Sequence, residues 1–242
     1  MIKPDAWIKR KSNVKTPALF DNEGKLIAFK VNEPLWTLPE EEARGFRREL
    51  ARNPEKCMIE PFLEESVKLV NDIRIISKGV SSYGYDVTLS DKDLKLFTDS
   101  NACGGDVPMV INPKAMDSRL FVTPEIRVSV EFGRYVMLPP HSYLLGHTVE
   151  FFRIPRNVLV ICLGKSTYAR GAIAVNVTPI EPEFEGNVVI EISNLTSLPV
   201  MIYVNEGIAQ FCFFESDEDC DVSYKDRDGK YQGQTGLQHA IV

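Results

Sequence analysis

Short apolar segments separated by turn residues run through most of this sequence, and they restrict its fold more than any other feature. They follow one another at intervals of roughly 8–14 residues, which is typical of antiparallel strands joined by turns. The segments interpreted as strands include residues 127–132, 144–148, 150–154, 158–163, 173–178, 188–193, 200–204 and 208–214. The last two flank Asn205-Glu206-Gly207, which predicts a hairpin. The sequence therefore predicts an all-β sandwich or barrel rather than a parallel α/β sheet.

Two of the predicted strand regions carry more specific signals. Residues 81–87 are typical of a turn that enters a strand, and Gly84 between two tyrosines predicts close backbone packing. Asp86 is either an active-site neighbour or a structural hydrogen-bond acceptor, and we favour the second interpretation. Residues 127–132 alternate polar and apolar side chains, as a half-buried strand does.

The first 56 residues contain different patterns. Residues 7–10 predict the start of a short helix. Residues 18–20 and 26–29 flank a polar turn and predict a hairpin. Thr37 and Glu40 have the spacing of a capping box, which predicts a helix that runs to about Leu50.

The bulk composition argues against several partners. The 242 residues include 28 Lys and Arg against 34 Asp and Glu, a formal net charge of −6. A negative chain offers no general surface for a nucleic-acid backbone, although one local basic cluster suffices for a small polyanion. The N-terminus has no long apolar run, and no segment approaches the length of a membrane span. We therefore expect a cytoplasmic protein with neither a nucleic-acid nor a membrane partner.

The cysteines and histidines bear on the chemistry. None of the five cysteines has C-x-x-C spacing, and we predict that they are reduced and structural. The three histidines form no metal-ligand pattern. Zinc-dependent nucleobase deaminases combine H-x-E with P-C-x-x-C, and neither occurs here. If this chain deaminates a base, we expect it to activate water without zinc.

A polar loop follows the apolar segment 158–163. Between Gly164 and Gly171 it contains two cations, Lys165 and Arg170, and three hydroxyl side chains. Glycine-flanked backbone N–H groups with a Lys and a Ser side by side suit an anionic oxygen cluster such as a phosphate. The loop is therefore a candidate phosphate site.

Glu191 lies in the predicted strand 188–193. Strand side chains alternate, so Glu191 points away from the face shared by Ile190 and Ile192. A carboxylate near the polar loop is a candidate for proton transfer on a phosphorylated substrate. Periodicity alone favours the blander interpretation, a solvated strand residue, and Arg170 taken alone is typical of a weak surface ion pair.

Residues 164–194 resemble the dCTP deaminases, the deaminating branch of the dUTPase-like superfamily. Further family motifs follow in the same order, at residues 58–62, 81–86 and 206–210. The tail from Tyr224 to Gly236 resembles the family's C-terminal lid, Y-x-D-R-x-G-K-Y-x-G-Q-x-G. The resemblance covers roughly residues 58–236, and several separated motifs in one order make chance agreement improbable.

The resemblance implies a distorted jelly-roll or β-barrel of the dUTPase-like type with a few short helices. It also implies a homotrimer with active sites between subunits. We expect one domain over residues 1–242, an insertion at 12–56 and a flexible C-terminal lid at 220–242. The implied reaction converts dCTP and water to dUTP and ammonia. Mg²⁺ would arrive with the triphosphate rather than sit in a cage of carboxylates, and dTTP stays open as a feedback inhibitor.

Three catalytic residues follow from the resemblance. Glu191 would be the general acid and base that takes a proton from the attacking water. Arg170 would lie beside Glu191 and tune its carboxylate. Ser166 would hold the water or a phosphate oxygen.

The resemblance also implies contacts to the rest of the nucleotide. Lys165 would pair with the triphosphate, and the main chain around Thr178 would bind the cytosine edge. Tyr224 would pack on the deoxyribose, while Lys230 and Gln234 would close over the phosphates. The substrate-binding residues predicted in this way are Lys165, Ser166, Thr167, Arg170, Thr178, Pro179, Gln210, Tyr224, Lys230 and Gln234.

One departure from the superfamily pattern concerns the turn before Glu191. Members that hydrolyse the triphosphate have I-D-x-x-[YF]-x-G there, whereas this chain has Glu181 in place of the aspartate. A displacement of about 1 Å in a catalytic group can cost orders of magnitude in rate. We therefore favour a deaminase that releases dUTP over a bifunctional enzyme that releases dUMP and diphosphate. A non-catalytic jelly-roll that binds nucleotides is the alternative from another class.

Overall fold

Strands dominate the part of the chain that the computed structural model describes, which is residues 1–12, 19–20, 26–27, 57–70, 73–97 and 111–240. The strands are β1 (Leu19–Phe20), β2 (Leu26–Ile27), β3 (Ile59–Glu60), β4 (Val67–Val70), β5 (Ile73–Ser81), β6 (Gly84–Thr88), β7 (Lys95–Phe97), β8 (Phe121–Val122), β9 (Ile126–Ser129), β10 (Gly133–Leu138), β11 (Tyr143–Arg153), β12 (Val158–Gly164), β13 (Ile173–Asn176), β14 (Glu185–Asn194), β15 (Val200–Tyr203) and β16 (Gly207–Glu215). The helical elements are α1 (Asp5–Ser12), α2 (Ser166–Ala169) and a 3₁₀ turn at Ser118–Leu120. The predicted all-β class with short helices is confirmed.

These strands form four sheets. One sheet has the order β13-β14-β11-β7-β8, with β3 also paired to β11. A second has the order β12-β16-β6-β5-β4, and a third has the order β15-β10-β9. Strands β1 and β2 pair with each other, and Leu19 lies opposite Ile27. The hairpin predicted in this region is therefore confirmed, while the helix predicted for residues 37–50 lies outside the described residues.

The core lies between the two large sheets. Phe152 of β11 and Phe211 of β16 are fully buried, and their ring centroids are 5.1 Å apart. Strand β14 alternates strictly between partly buried and buried residues along its length. Ile190 and Ile192 are fully buried, and Glu191 lies on the opposite face. The alternation predicted for this strand is confirmed.

The predicted hairpin at 200–214 is wrong. Strand β15 pairs with β10, whereas β16 pairs with β12 and β6, so the two belong to different sheets. The connection is bound to the end of β6 instead, because Asn205 N–H donates to the Leu89 carbonyl oxygen and Leu89 N–H donates to the Glu206 carbonyl oxygen. A Cβ at Gly207 would lie 1.8 Å from the Ser77 carbonyl oxygen. The glycine that suggested a hairpin instead allows the backbone of β5 to lie in close contact with residue 207.

Two strand boundaries also differ from the prediction. Residues 143–153 form one strand with a bulge between His147 and Phe151, where two strands were predicted. The predicted strand 127–132 ends at Ser129, whose hydroxyl accepts the N–H groups of the next turn at 3.1 and 3.2 Å. A serine hydroxyl competes in this way with the ladder for backbone donors, and Val130 in that turn is 96% exposed.

Other predictions agree with the described structure. A short helix is present at the N-terminus, where α1 buries Trp7 and Ile8. A Cβ at Gly84 would lie 2.7 Å from the Phe211 carbonyl oxygen, which confirms the close packing. The cysteines in the described residues are free thiols. No described helix has the length and apolar character needed to cross a bilayer.

The bulge of β11 places a carboxyl group in the core. Glu150 is buried and accepts the Thr88 N–H at 2.9 Å and the Thr88 hydroxyl at 2.7 Å. Burial raises the pKa of Glu150 from its ordinary value of 4.5 to about 7, against the opposing effect of these hydrogen bonds and of Lys78. Between pH 4.5 and about pH 7, Glu150 of the folded protein therefore keeps a proton that the unfolded chain has already lost.

A raised carboxyl pKa predicts that the free energy of unfolding falls as the pH rises from about 4.5 to about 7. Glu150→Gln should remove up to about 3 kcal/mol of this fall, because glutamine does not titrate. Urea denaturation at several pH values measures it, with Glu131→Gln on the surface as the control. Equal pH slopes in the parent and Glu150→Gln would contradict the burial effect.

Candidate active site

A cavity of about 810 Å³ lies beside the sheet that contains β14. Its walls include aromatic and aliphatic side chains from β7, β8 and β11, such as Phe97, Phe121 and Leu145. An apolar pocket with a few polar groups is typical of small-molecule sites. Among the residues that line it are five of the predicted site residues, Thr178, Pro179, Glu191, Tyr224 and Gln234.

Glu191 is held on the cavity wall by its neighbours in the sheet. It lies opposite Asn176 of β13 and Leu145 of β11. The Asn176 side-chain amide donates a hydrogen bond of 2.5 Å to Glu191 Oε2. Glu191 Oε1 has no hydrogen-bond partner among the described residues, so it is available to a proton or a water molecule. Asn176 was not predicted, although the cross-strand register of β13 and β14 would have identified it.

Two other ionisable groups near Glu191 stay protonated at neutral pH. Burial, and then the charge of Glu191, raise the pKa of Tyr143. Burial raises the pKa of Cys162 to about 12, with smaller contributions from Cys212 and Glu191. Neither the phenol nor the thiol is therefore a base near pH 7, and the carboxylate is the stronger candidate for proton transfer.

A second group of predicted residues surrounds Lys165. Lys165 Nζ lies 2.6 Å from Asp86 Oδ2 and donates to Ser77 Oγ at 3.0 Å. Gln210 Nε2 lies 3.4 Å from Asp86 Oδ1 and donates to Ser81 Oγ at 2.7 Å. Asp86 is thus a structural hydrogen-bond acceptor, which is the interpretation that we favoured. The two side chains that it holds, Lys165 and Gln210, are predicted substrate-binding residues.

The polar loop is anchored by Tyr168 as well as by Lys165. The predicted turn contains the single-turn helix α2, and Tyr168 in it is buried. The Tyr168 hydroxyl accepts the Tyr203 N–H at 3.0 Å. Ser166, Thr167 and Arg170 are exposed on the other side of this anchor. The loop therefore presents these three side chains to whatever lies outside the chain.

The structure does not bring the two groups together within one chain. Arg170 was expected beside Glu191, but its guanidinium contacts only the Ser166 carbonyl oxygen, at 3.4 Å, among the described residues. No hydrogen bond or ion pair in the described part of the chain joins Lys165 or Arg170 to Glu191. Because the expected active sites lie between subunits, the placement of Arg170 beside Glu191 stays a prediction, and in the single chain Arg170 extends from the exposed end of α2.

The C-terminal tail is folded onto its own chain around Tyr224. The Tyr224 N–H donates to the Pro182 carbonyl oxygen at 3.0 Å, and the ring packs 5.9 Å from that of Phe184. The Tyr224 hydroxyl accepts the Tyr231 N–H at 2.9 Å. Gly229 lies flat on the ring, since a Cβ there would be 2.2 Å from it. This contact explains the first glycine of the tail motif.

Arg156 holds the first residues of this tail. Its guanidinium lies 2.7 Å from carboxylate oxygens of both Glu183 and Asp226, and it donates to the Cys220 carbonyl oxygen at 3.1 Å. The Ser223 N–H, followed by Arg156, lowers the pKa of Asp226 to about 2. The tail is therefore folded back in this structure, and its flexibility stays a prediction.

The two tail residues that were predicted to contact the phosphates differ in exposure. Gln234 is 5% exposed, and its side-chain amide donates to the Asn187 carbonyl oxygen at 2.5 Å. Lys230 is exposed. Sequence reasoning missed Asn187, for which no motif gives a signal.

Comparisons with known proteins agree with the motifs. The family described as dCTP deaminase-like matches residues 50–216. A dCTP deaminase from Azotobacter vinelandii is 55% identical over 190 residues, which are 78% of this chain and 93% of that protein. This chain belongs to the dCTP deaminase family.

A second member of the family is equally similar in sequence. A dCTP deaminase from Pseudomonas putida is 55% identical over 183 residues, which are 76% of this chain and 90% of that protein. The crystal structure of 2'-deoxycytidine 5'-triphosphate deaminase from Agrobacterium tumefaciens aligns at 17% identity with a TM-score of 0.41. The alignment covers 63% of this chain and 43% of that one, so it adds nothing to the assignment.

The contact between Gly229 and Tyr224 predicts that Gly229→Ala displaces the tail. The added methyl group cannot fit against the ring, so we expect KM for dCTP to rise about tenfold or more, because fewer molecules hold the tail in place. Steady-state kinetics measures this change. Lys225→Ala, in the same turn and exposed, is the control. Unchanged kinetics in Gly229→Ala would contradict the role of the contact.

The pair Lys165–Asp86 gives a prediction about stability. The two side chains are only 10% and 7% exposed, so removing one charge leaves the other buried without its partner. Asp86→Leu should lower the free energy of unfolding by about 3 kcal/mol, and adding Lys165→Met should recover most of the loss. Chemical denaturation of the three proteins measures this. A double variant no more stable than Asp86→Leu would contradict the pairing.

Proposed function

We propose that this protein is a dCTP deaminase that hydrolyses dCTP to dUTP and ammonia. The identity of 55% to proteins named dCTP deaminase, over almost their whole length, carries the proposal. The position of Glu191 on the wall of a cavity large enough for a nucleotide base and sugar supports it. A non-catalytic binding module would have no need of a carboxylate held there.

Glu191 is the proposed general base and acid. The oxygen of a water molecule attacks C4 of cytosine while Glu191 accepts a proton from it. The proton passes to N3, and the tetrahedral carbon then breaks its bond to the amino nitrogen. That nitrogen takes up the second proton of the water and leaves as ammonia, so that C4 keeps the oxygen. Asn176 holds one carboxylate oxygen of Glu191 and orients the other toward the reacting atoms.

Water activation in this proposal uses no zinc. The sequence contains neither of the zinc-deaminase motifs, and among the described residues no three His, Cys, Asp or Glu side chains are grouped to hold a metal ion. Mg²⁺ enters as part of the substrate, bound to the triphosphate oxygens. Lys165, Ser166 and Thr167 supply one cation and two hydroxyl groups for the same phosphates.

A homotrimer with sites between subunits is the proposed assembly. The separation of the two residue groups within one chain supports it. Arg170 and Glu191 can meet only if they come from two different copies. The loop that carries Arg170 follows Leu163, which is 53% exposed on the single chain. A cytoplasmic location and inhibition by dTTP belong to the same proposal.

Glu181 supports release of dUTP rather than dUMP. Glu181 lines the cavity and forms an ion pair with Arg227 of the tail. The ion pair occupies the Glu181 carboxylate, which is then not free to hold a second, hydrolytic water. We therefore propose the deaminase activity alone and treat the bifunctional reaction as the competing outcome.

Incubation with dCTP and Mg²⁺ should release one ammonia for each dUTP formed. Chromatography of the nucleotides and a coupled ammonia assay measure the two products. The appearance of dUMP and diphosphate would identify the bifunctional reaction. A protein that binds dCTP without releasing ammonia would be a binding module.

Glu191→Gln should lower kcat by about 10²- to 10⁴-fold, because the amide cannot accept the proton of the water. Binding of dCTP, measured by calorimetry, should persist. Glu131→Gln, an exposed residue far along the chain, should retain the parent rate. Full activity in Glu191→Gln would remove this residue from the mechanism.

A further inference from the structure

One asparagine connects the C-terminal tail to the strand that carries Glu191. The side-chain oxygen of Asn187 accepts the Gly236 N–H at 3.1 Å. Its main-chain N–H donates to the Gln234 carbonyl oxygen at 3.0 Å, and its own carbonyl oxygen accepts the Gln234 side-chain amide at 2.5 Å. Three of the hydrogen bonds that hold the tail therefore end on a single residue.

The nitrogen of the same side chain holds the bulge of β11. Asn187 Nδ2 lies 3.1 Å from the carbonyl oxygens of Thr148 and Glu150 and 3.4 Å from that of Val149. A bulge leaves backbone groups without partners in the ladder, and here this amide binds three of them, together with the Thr148 hydroxyl and the His147 ring. An asparagine side chain can donate through its NH₂ group on one side and accept through its carbonyl oxygen on the other.

The tail approaches this part of β14 more closely than a side chain would allow. Gly186 pairs with Gln234 in a parallel bridge. A Cβ at Gly186 would lie 3.0 Å from both the side chain and the carbonyl oxygen of Gln234. A glycine is therefore required next to Asn187 for the tail to reach it.

The attached tail covers the face of β14 that carries the proposed base. Residues 187, 189 and 191 point to the same side of the strand, because strand side chains alternate. Val189, Glu191 and Gln234 all line the same cavity. Contacts at Asn187, four residues before Glu191, therefore help to hold the last part of the tail over this cavity.

We propose that Asn187 is a positioning residue, which uses the β11 bulge as a support and holds the tail where it completes the nucleotide site. The inference rests on the proposed function, because it takes the tail to be part of the nucleotide-binding site. It assigns to Asn187 no contact with the reacting atoms. Its effect should be on the fraction of molecules with the tail in place, which scales the apparent affinity for dCTP.

Asn187→Asp tests this role with almost no change in size. It keeps the acceptor for Gly236 but places a carboxylate oxygen against the carbonyl oxygens of Thr148 and Glu150. We expect KM for dCTP to rise about tenfold while kcat changes by less than about threefold. Without nucleotide, trypsin should cleave the tail at Arg227 or Lys230 at least about tenfold faster than in the parent, and saturating dCTP should restore protection.

Two further variants make the test specific. Asn112→Asp adds the same charge in an exposed turn, where the side chain accepts the Lys114 N–H, so it should behave as the parent. Gly186→Ala places a methyl group against Gln234, and also against Phe184, and should reproduce the changes in KM and cleavage. It also carries the test if Asn187→Asp does not fold.

Several outcomes would overturn the inference. These are parental KM and cleavage in Asn187→Asp and Gly186→Ala, or a loss of kcat with KM and cleavage unchanged. If the parent protein frees no ammonia from dCTP, the proposed function fails. The trypsin comparison then still decides whether Asn187 holds the tail.

Discussion

The alternation of strand β14 is the constraint on which the rest of the structure depends. Ile190 and Ile192 fill the core between the two large sheets, and this fixes which face of the strand is buried. A slip of one residue would turn Glu191 into the core and expose both isoleucines. Burying an unpaired carboxylate costs far more than a hydrogen bond returns, so the register is strongly specified. The hydrophobic core therefore orients the candidate base.

The same strand organises elements on three sides. Its neighbour β13 supplies Asn176, which binds the Glu191 carboxylate. On the other side, the bulge of β11 turns Glu150 into the core and leaves carbonyl oxygens for Asn187. The tail then attaches to Asn187 through Gln234 and Gly236. The candidate base, a buried acid and the C-terminal tail thus share one support.

The candidate site is divided between two surfaces of the chain. The wall with Glu191 lies in a mainly apolar cavity, whereas Ser166 and Arg170 are exposed on a loop that is held by Tyr168 and Lys165. A mainly apolar cavity suits the base and sugar of a nucleotide, and an exposed cationic loop suits its phosphates. This division is the physical reason for proposing that neighbouring copies complete each other's sites.

The amino-acid sequence by itself determined the strand class, the face of β14 that carries Glu191, the family and the tail motif, because local alternation and motif spacing are properties of neighbours in the chain. It did not reveal that β15 and β16 belong to different sheets. The reason for Gly207 is its close contact with Ser77, which lies more than a hundred residues earlier. Nor did it reveal the buried pair Lys165–Asp86 or the bonds of Asn187 to the tail. Those contacts join residues far apart in the chain, and only the packing of the sheets brings them within hydrogen-bonding distance.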